Sequence, residues 1–132
     1  MIGLDTNVLI RAFVIAEGEQ TEQARRLITE RCSASDPGYV NCVVLAEAVW
    51  VLDAVYEFRR EAIANAVAQL LDANDILLER RDAVRAALKV YPSKAADFTD
   101  ALIAAINRAD GCDVTATFDR KAAKLPGFER VR

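Results

Sequence analysis

Apolar and polar positions along the chain predict short strands that alternate with longer helices. Strands are predicted at residues 1–4, 39–40, 76–78, 113–118 and 128–131, each bounded by polar or turn-forming residues. Between the strands, apolar residues recur every three or four positions, as they do on the buried face of an amphipathic helix. Because strands that alternate with helices form mostly parallel sheets, we expect an α/β fold. The specific expectation is a three-layer α/β/α sandwich with a twisted, mostly parallel sheet of four to five short strands.

The predicted helices run from residue 8, over 21–31, 42–57, 59–71 and 80–91, from residue 95 through 106, and over 120–124. Most of them carry a single apolar stripe, which in the helix over 59–71 consists of Ile63, Val67, Leu70 and Leu71. The helix over 42–57 differs, because residues 43–52 are apolar on every side except for Glu47, and such a helix is normally buried. Asn41 is the predicted N-cap of the helix over 42–57. With 132 residues, 53% of them hydrophobic and 28% charged, the chain is expected to fold as a single domain over residues 1–132.

The composition removes several kinds of chemistry. The chain has no histidine, which excludes Ser-His-Asp and Cys-His nucleophiles and any His-ligated metal site. Cys32, Cys42 and Cys112 form no C-x-x-C pair and are predicted to be small buried side chains. No apolar run is long enough for a membrane span and no signal segment is visible, so a cytoplasmic protein is expected. Because histidine is absent, any catalysis must rest on carboxylates, hydroxyls or amines.

Two aspartates directly follow predicted buried strands. Asp5 follows residues 1–4, and Asp119 follows residues 113–118. In open α/β sheets, ligands bind just outside the carboxyl ends of the strands, so both aspartates stand where a site is expected. For Asp5 the structural alternative is a capping or turn residue, which aspartate often is at such junctions. In the functional interpretation, Thr6 or Asn7 caps the helix that starts at Val8.

Further carboxylates occur on predicted helices. Glu47 lies in the apolar helix, where a buried carboxylate is costly unless it pairs with an arginine, is protonated, binds a cation or reaches water. Asp97 and Asp100 are three residues apart and share one helix face. Asp97 taken alone is explained by the helix dipole, whereas Asp100 adjoins the apolar stripe and is the better functional candidate. The core-facing residues expected on that helix are Leu102, Ile103 and Ile106.

The four main acids are expected to converge. Right-handed crossovers bring all strand-to-helix junctions to one edge of a parallel sheet, and this edge would gather Asp5, Glu47, Asp100 and Asp119. Four carboxylates in one pocket repel each other, and without histidine the plausible compensation is a divalent cation. Ligand sets made only of oxygen favour Mg²⁺ or Mn²⁺. The predicted reaction is hydrolysis of a phosphodiester by metal-activated water.

Four segments resemble the ordered acidic motifs of PIN-domain nucleases and, more narrowly, of VapC-type toxins of bacterial type II toxin–antitoxin pairs. The segments are LDTNVLI at residues 4–10, LAE at 45–47, DFTDALIAA at 97–105 and TFDR at 117–120. The resemblance implies that the family's four acids fall on Asp5, Glu47, Asp100 and Asp119. It also implies supporting polar positions at Asn7 and Thr117 and an additional acid at Asp97.

This resemblance implies an Mg²⁺- or Mn²⁺-dependent endoribonuclease that forms homodimers and is inhibited by a cognate antitoxin, whose tail occupies the acidic groove. Two other classes of protein share parts of this pattern. A haloacid-dehalogenase-like phosphoryl-transfer enzyme needs a second aspartate two residues after the first, where this chain has Asn7. A non-catalytic interaction module has no need of a metal. A receiver domain, one such module, requires paired acids after strand one and a mid-chain phospho-accepting aspartate, and neither is visible.

Two predicted helices supply basic residues near the predicted site, although the net charge is −3. An acidic chain is not expected to bind nucleic acid through its net charge, so a local basic patch has to contact the phosphates. A basic helix is usually only a solvated face, which is the structural alternative. The candidates for RNA contact in the helices over 80–91 and 120–124 are Arg85, Lys89, Arg120, Lys121 and Lys124.

Overall fold

Six α-helices and five short strands alternate through residues 1–93 and 96–132, the part of the chain that the computed structural model describes. Every strand pairing in this part is parallel, and the predicted mixed α/β class is confirmed. The chain divides into two compact units, Met1–Glu79 and Arg80–Arg132. The strands form one three-stranded and one two-stranded sheet. The described helices include none that is long and apolar enough to cross a membrane.

The first unit contains β1 (Ile2–Gly3), α1 (Thr6–Phe13), α2 (Glu19–Arg31), β2 (Gly38–Val40), α3 (Cys42–Ala54), α4 (Arg60–Asp72) and β3 (Ile76–Leu78). Its sheet has the order β1-β2-β3. Gly38 allows close packing in the central strand, because a Cβ there would lie 3.0 Å from both Leu4 Cδ1 and Cys32 Sγ. Helix α1 packs against α2 and α3, and α4 packs against β3.

The second unit contains α5 (Arg81–Val90), a 3₁₀ turn (Tyr91–Ser93), α6 (Phe98–Ala109), β4 (Thr115–Thr117), a second 3₁₀ turn (Ala122–Lys124) and β5 (Phe128–Arg130). Helices α5 and α6 pack against each other, and β4 pairs with β5. The rings of Tyr91 and Phe98 meet edge to face, with centroids 5.8 Å apart and an interplanar angle of 85°. Both aromatic residues are buried and anchor the start of α6 to the end of α5.

Several predicted element boundaries agree with the structure within two residues. The N-cap of α1 differs from the predicted one. The helix begins at Thr6, and Asp5 is its N-cap, so the expectation that Thr6 or Asn7 caps a helix from Val8 is wrong. The predicted start at Ala95 lies outside the described residues, and α6 begins at Phe98 with Asp97 as its cap. Asn41 caps α3 as predicted.

The predicted burial of α3 on all sides is wrong. The side chains of Val43 and Trp50 are 78% and 62% exposed, and Glu47 on the same face is exposed as well. The opposite face is buried through Leu45, Ala48, Val49 and Leu52. The helix ends at Ala54 instead of Glu57, because Glu57 adopts a left-handed conformation with φ of 57°. One apolar face of α3 therefore remains on the surface.

The second unit also exposes residues that were expected in the core. Ile103 is 42% exposed, whereas Phe98, Ala101, Leu102 and Ala104 supply the buried face of α6. Strand β4 is not a buried strand, since its residues are half-buried or exposed and the adjoining Phe118 is 80% exposed. Cys112 is exposed, and Cys32 and Cys42 are half-buried, so the predicted burial of the three cysteines is wrong.

Candidate active site

Asp5 stands at the end of β1, where its carboxylate caps α1. Its Oδ1 accepts a hydrogen bond of 2.8 Å from the backbone N–H of Thr6. This is its only side-chain hydrogen bond within the described residues, so Oδ2 has no partner there. Asp5 is exposed, while Leu4 and Thr6 on either side are buried. Capping therefore holds the carboxylate in a fixed orientation and leaves one oxygen open to a ligand.

Glu47 and Asn7 have different surroundings from those expected. Glu47 lies on the exposed face of α3 in the second turn of that helix, so no burial cost has to be compensated there. Asn7 is exposed in the first turn of α1, and its Nδ2 donates to Gln20 Oε1 over 3.1 Å. The side chain of Asn7 is thus tied to α2 instead of capping a helix.

Glu79 is a further acid at a strand end, and it lies outside the set of predicted site residues. It directly follows β3, as Asp5 nearly follows β1, and that position was the available signal. Its Oε1 accepts a 2.8 Å hydrogen bond from the backbone N–H of Cys42, the first residue of α3. Desolvation and then the charge of the neighbouring Glu79 raise the pKa of Tyr39. Glu79 is therefore engaged in fixing the start of the helix that carries Glu47.

The second unit brings Asp97, Asp100 and Asp119 into one electrostatic cluster. Asp97 caps α6 by accepting a hydrogen bond of 2.9 Å from the backbone N–H of Asp100. Desolvation raises the pKa of Asp100 to about 6 from an ordinary 3.8, with further upward contributions from the charge and side-chain hydrogen bond of Asp97 and from the charge of Asp119. The ionised form of Asp100 is consequently less stable than that of an isolated aspartate, and a nearby cation would relieve that cost.

Asp119 is held by its own local turn. Its backbone N–H donates to Thr117 Oγ1 over 3.0 Å, and its Oδ1 accepts from the backbone N–H groups of Lys121 and Ala122 at 2.7 and 3.2 Å. The other carboxylate oxygen has no hydrogen bond within the described residues. Thr117, which the family resemblance marked as a supporting residue, therefore contacts the backbone of the acid that it was expected to support.

The basic candidates are all exposed. Arg85 makes a loose ion pair with Asp82, with Nη1 and Oδ1 3.3 Å apart. Among the residues that the structure describes, Lys89, Arg120, Lys121 and Lys124 form no ion pair. Arg120, Lys121 and Lys124 closely follow Asp119 in the sequence, so exposed cationic side chains stand near one acid of the second unit's cluster. Surface cations of this kind are available to phosphates.

The available donors fit a hard divalent ion in their chemistry. All of the candidate ligands are carboxylates, and Asp100 is destabilised in its charged form. The described residues contain no group of three or more histidine, cysteine, aspartate or glutamate side chains placed to hold a metal ion. The described part of the chain therefore offers suitable ligand types without an assembled set of ligands.

Comparisons with known proteins agree with the acidic motifs. A model of the PIN domain family matches residues 2–127, which include all four main acids. The chain is also 29% identical over 128 residues to a VapC ribonuclease of Aquifex aeolicus (strain VF5), and this match covers 97% of the chain and 93% of that protein. Nucleases with a PIN domain generally depend on a divalent metal.

Proposed function

Since the chain belongs to the PIN domain family, we propose that it is a divalent-metal-dependent endoribonuclease and the toxin of a toxin–antitoxin pair. The observation that carries the proposal is the charge cluster of Asp97, Asp100 and Asp119, where desolvation and then repulsion raise the pKa of Asp100 to about 6. Such a cluster costs stability in the folded protein and is favourable only when a cation binds. Phosphodiester hydrolysis is the chemistry that a cation held by carboxylates supports best.

The proposed metal ligands are Asp5, Glu47, Asp100 and Asp119, and the proposed ion is Mg²⁺ or Mn²⁺. The hydrogen bonding of two of these carboxylates supports the assignment. Asp5 and Asp119 each have one carboxylate oxygen held by backbone N–H groups and one without a partner in the described residues. The family match runs across the boundary after Glu79, so we also propose that both units act as one nuclease domain over residues 1–132.

When bound, the ion would lower the pKa of water and stabilise negative charge on phosphoryl oxygens. The remaining work belongs to the side chains of the protein. Thr117 orients Asp119 through the hydrogen bond from the backbone of that aspartate, and Asp97 fixes the first turn of α6 on which Asp100 stands. Asn7, linked to Gln20, is the proposed supporting residue beside Asp5.

The identity of the product ends tests this mechanism. Purified protein with Mn²⁺ or Mg²⁺ is incubated with single-stranded RNA, and the ends are determined by sequencing. We expect hydrolysis with 5′-phosphate and 3′-hydroxyl ends, because the chain has no histidine for the acid–base pair that ribose attack commonly uses. A 2′-deoxy substitution at the cleaved nucleotide should be tolerated. Cyclic phosphate ends together with activity in excess EDTA would show that the carboxylate–metal proposal is wrong.

The proposed RNA contacts are Arg85, Lys89, Arg120, Lys121 and Lys124. Their exposure supports the assignment, and so does the absence of ion pairs at the last four within the described residues. Contacts to phosphates release counterions, so RNA affinity should fall as salt rises. The test measures RNA binding by three proteins: the Asp100→Asn variant, the same variant with Lys121→Ala, and the same variant with Arg26→Ala. Arg26 is an exposed cation outside the proposed contacts and serves as the control. An affinity that ignores salt and Lys121→Ala would contradict the assignment.

The proposed partners are a cognate antitoxin and a second copy of the chain, in the cytoplasm where an RNA-cleaving toxin finds its substrate. The similarity to a VapC ribonuclease supports the antitoxin, and the exposed apolar residues Val43 and Trp50 of α3 supply surface for a protein contact. Light scattering of the purified chain tests the homodimer directly. A mass of 14.5 kDa at all concentrations would show a monomer.

A further inference from the structure

A cavity of about 340 Å³ is formed by residues of α1 and α2 in the first unit, next to the helix turn that Asp5 caps. Apolar side chains, among them Val8 and Leu27, supply part of its wall. Polar side chains supply the rest, among them Arg11, Gln20 and Gln23. A cavity of this size suits one small planar group better than an extended chain.

Hydrogen bonds across the loop before α2 fix the polar wall. Arg11 Nη1 donates to the carbonyl oxygen of Glu17 over 3.3 Å, and the buried Thr21 donates its Oγ1 hydrogen to the same oxygen over 3.0 Å. Gly18, with φ of +117°, lets the loop lie close to the guanidinium, because a Cβ there would be 3.2 Å from Arg11 Nη1. The arginine is therefore positioned by the backbone and not by a charged partner.

Arg11 has unused capacity to donate hydrogen bonds. Of its five N–H donors, only one has an acceptor among the described residues, and its buried Nε has none. It forms no ion pair with any described carboxylate. A half-buried guanidinium without a counter-charge is costly, and an incoming group with an edge rich in acceptors would compensate it.

We propose that this cavity binds one unpaired purine base of the RNA, a base with two adjacent acceptors as guanine has in N7 and O6. This inference rests on the proposed ribonuclease function and adds base selectivity to it. Arg11 would contact the acceptor edge, Gln23 a further polar atom, and Val8 and Leu27 the faces of the ring. A phosphate alone would gain nothing from the apolar walls.

The position of the cavity suits a nucleotide close to the bond that is cleaved. Arg11 lies six residues after Asp5 on the same helix, a displacement of about 9 Å along the helix axis. The base in the cavity would therefore belong to a nucleotide near the phosphate attacked at Asp5, and the enzyme would prefer guanine at one fixed position relative to its cut.

Binding measurements test the cavity separately from catalysis. Asp100→Asn protein is titrated with five-nucleotide RNAs that differ at a single position, which holds guanine, 7-deazaguanine or no base. We expect binding to weaken by about tenfold when N7 is removed, because a bidentate arginine–guanine contact is lost. The same loss is expected for guanine RNA when Arg11→Gln is added. Equal binding of the abasic and guanine RNAs would show that the cavity recognises no base, and would overturn the proposal.

Cleavage of a randomised single-stranded RNA library by the otherwise unmodified chain provides the second readout. We expect guanine enrichment at one position near the cut, weakened by Arg11→Gln and by Gln23→Leu. Gln23 is exposed, so its substitution should leave folding intact, and Arg25→Gln on the same helix is the matched control outside the cavity. Cleavage with the same base preference in both cavity variants would refute the inference while leaving the nuclease function in place. Complete lack of RNA cleavage would refute the proposed function, and the binding measurement would still decide the cavity.

Discussion

The two junctions that carry Asp5 and Asp119 have the same local design and different electrostatic surroundings. In both, an aspartate after a parallel strand accepts hydrogen bonds from the backbone of the following turn. Asp5 leads into an eight-residue helix whose Leu9 and Ile10 are buried. Asp119 leads into a three-residue 3₁₀ turn and adds to the repulsion that raises the pKa of Asp100. The acids of the second unit therefore carry a cost in stability, whereas Asp5 contributes to stability as a cap.

The largest expected effect is on catalysis, where the two units should behave alike. Asp5→Asn and Asp100→Asn should each lower the rate of RNA cleavage by on the order of 100-fold to 1,000-fold, because a ligand of the proposed ion is lost. Asp72→Asn in the first unit and Asp113→Asn in the second are matched controls, since both residues are exposed carboxylates outside the proposed site. Nearly full activity of Asp5→Asn or Asp100→Asn would show that the substituted aspartate is not a ligand of the proposed ion.

The next effect concerns metal binding, where the second unit should dominate the pH dependence. Asp100 has a pKa of about 6, and a proton on its carboxyl competes with the ion. Affinity for Mn²⁺, measured by calorimetry, should therefore fall about tenfold between pH 7 and pH 5. The Asp5→Asn, Asp100→Asn double variant should bind Mn²⁺ far more weakly than Asp113→Asn does. Equal Mn²⁺ affinity of the double variant and the unmodified chain would contradict the ligand assignment.

A smaller effect concerns the free energy of unfolding without divalent ions. Its sign differs between the units, because the ionised Asp100 lowers this free energy whereas the Asp5 cap raises it. The pKa of Asp100 is higher in the folded protein than its ordinary 3.8, so the folded state binds the proton more tightly and stability falls as pH rises from about 4 to about 6. Asp100→Asn should flatten this dependence and raise the free energy of unfolding at pH 7 by about 1 kcal/mol, after allowance for solvent screening. Urea unfolding across this pH range measures both quantities. A destabilised Asp100→Asn protein would show that repulsion is not the dominant effect there.

The smallest effect concerns the caps. Asp5→Ala should lower the free energy of unfolding by about 1 kcal/mol, because the hydrogen bond to the N–H of Thr6 is lost, whereas Asp5→Asn keeps a good cap and should change it little. Asp119→Ala should cost less than Asp5→Ala, since it also removes repulsion with Asp100. Thermal unfolding of the three variants gives the order. Equal losses at both junctions would show that the surroundings of the two aspartates are equivalent.

Local sequence patterns predicted much of the chain correctly. The strand over 76–78, the Asn41 cap of α3 and the buried stripe of Ile63, Val67 and Leu70 all appear in the structure as expected. These features depend on backbone preferences and on the spacing of apolar residues along one element, which are visible in a single chain segment. The candidate acids at strand ends were found for the same reason, although the structure makes Asp5 the cap of its helix.

The sequence by itself determined the order of strands and helices, the acidic motifs and the absence of histidine chemistry. Only the tertiary structure decided that Glu47 is exposed and that the strands form separate sheets of three and two. It alone decided that desolvation, with the charges of Asp97 and Asp119, raises the pKa of Asp100. It also decided that Arg11 borders a cavity and that its guanidinium has no carboxylate partner among the described residues. Apolar periodicity shows which face of an element could be buried, whereas burial and electrostatic shifts depend on which distant surfaces meet it.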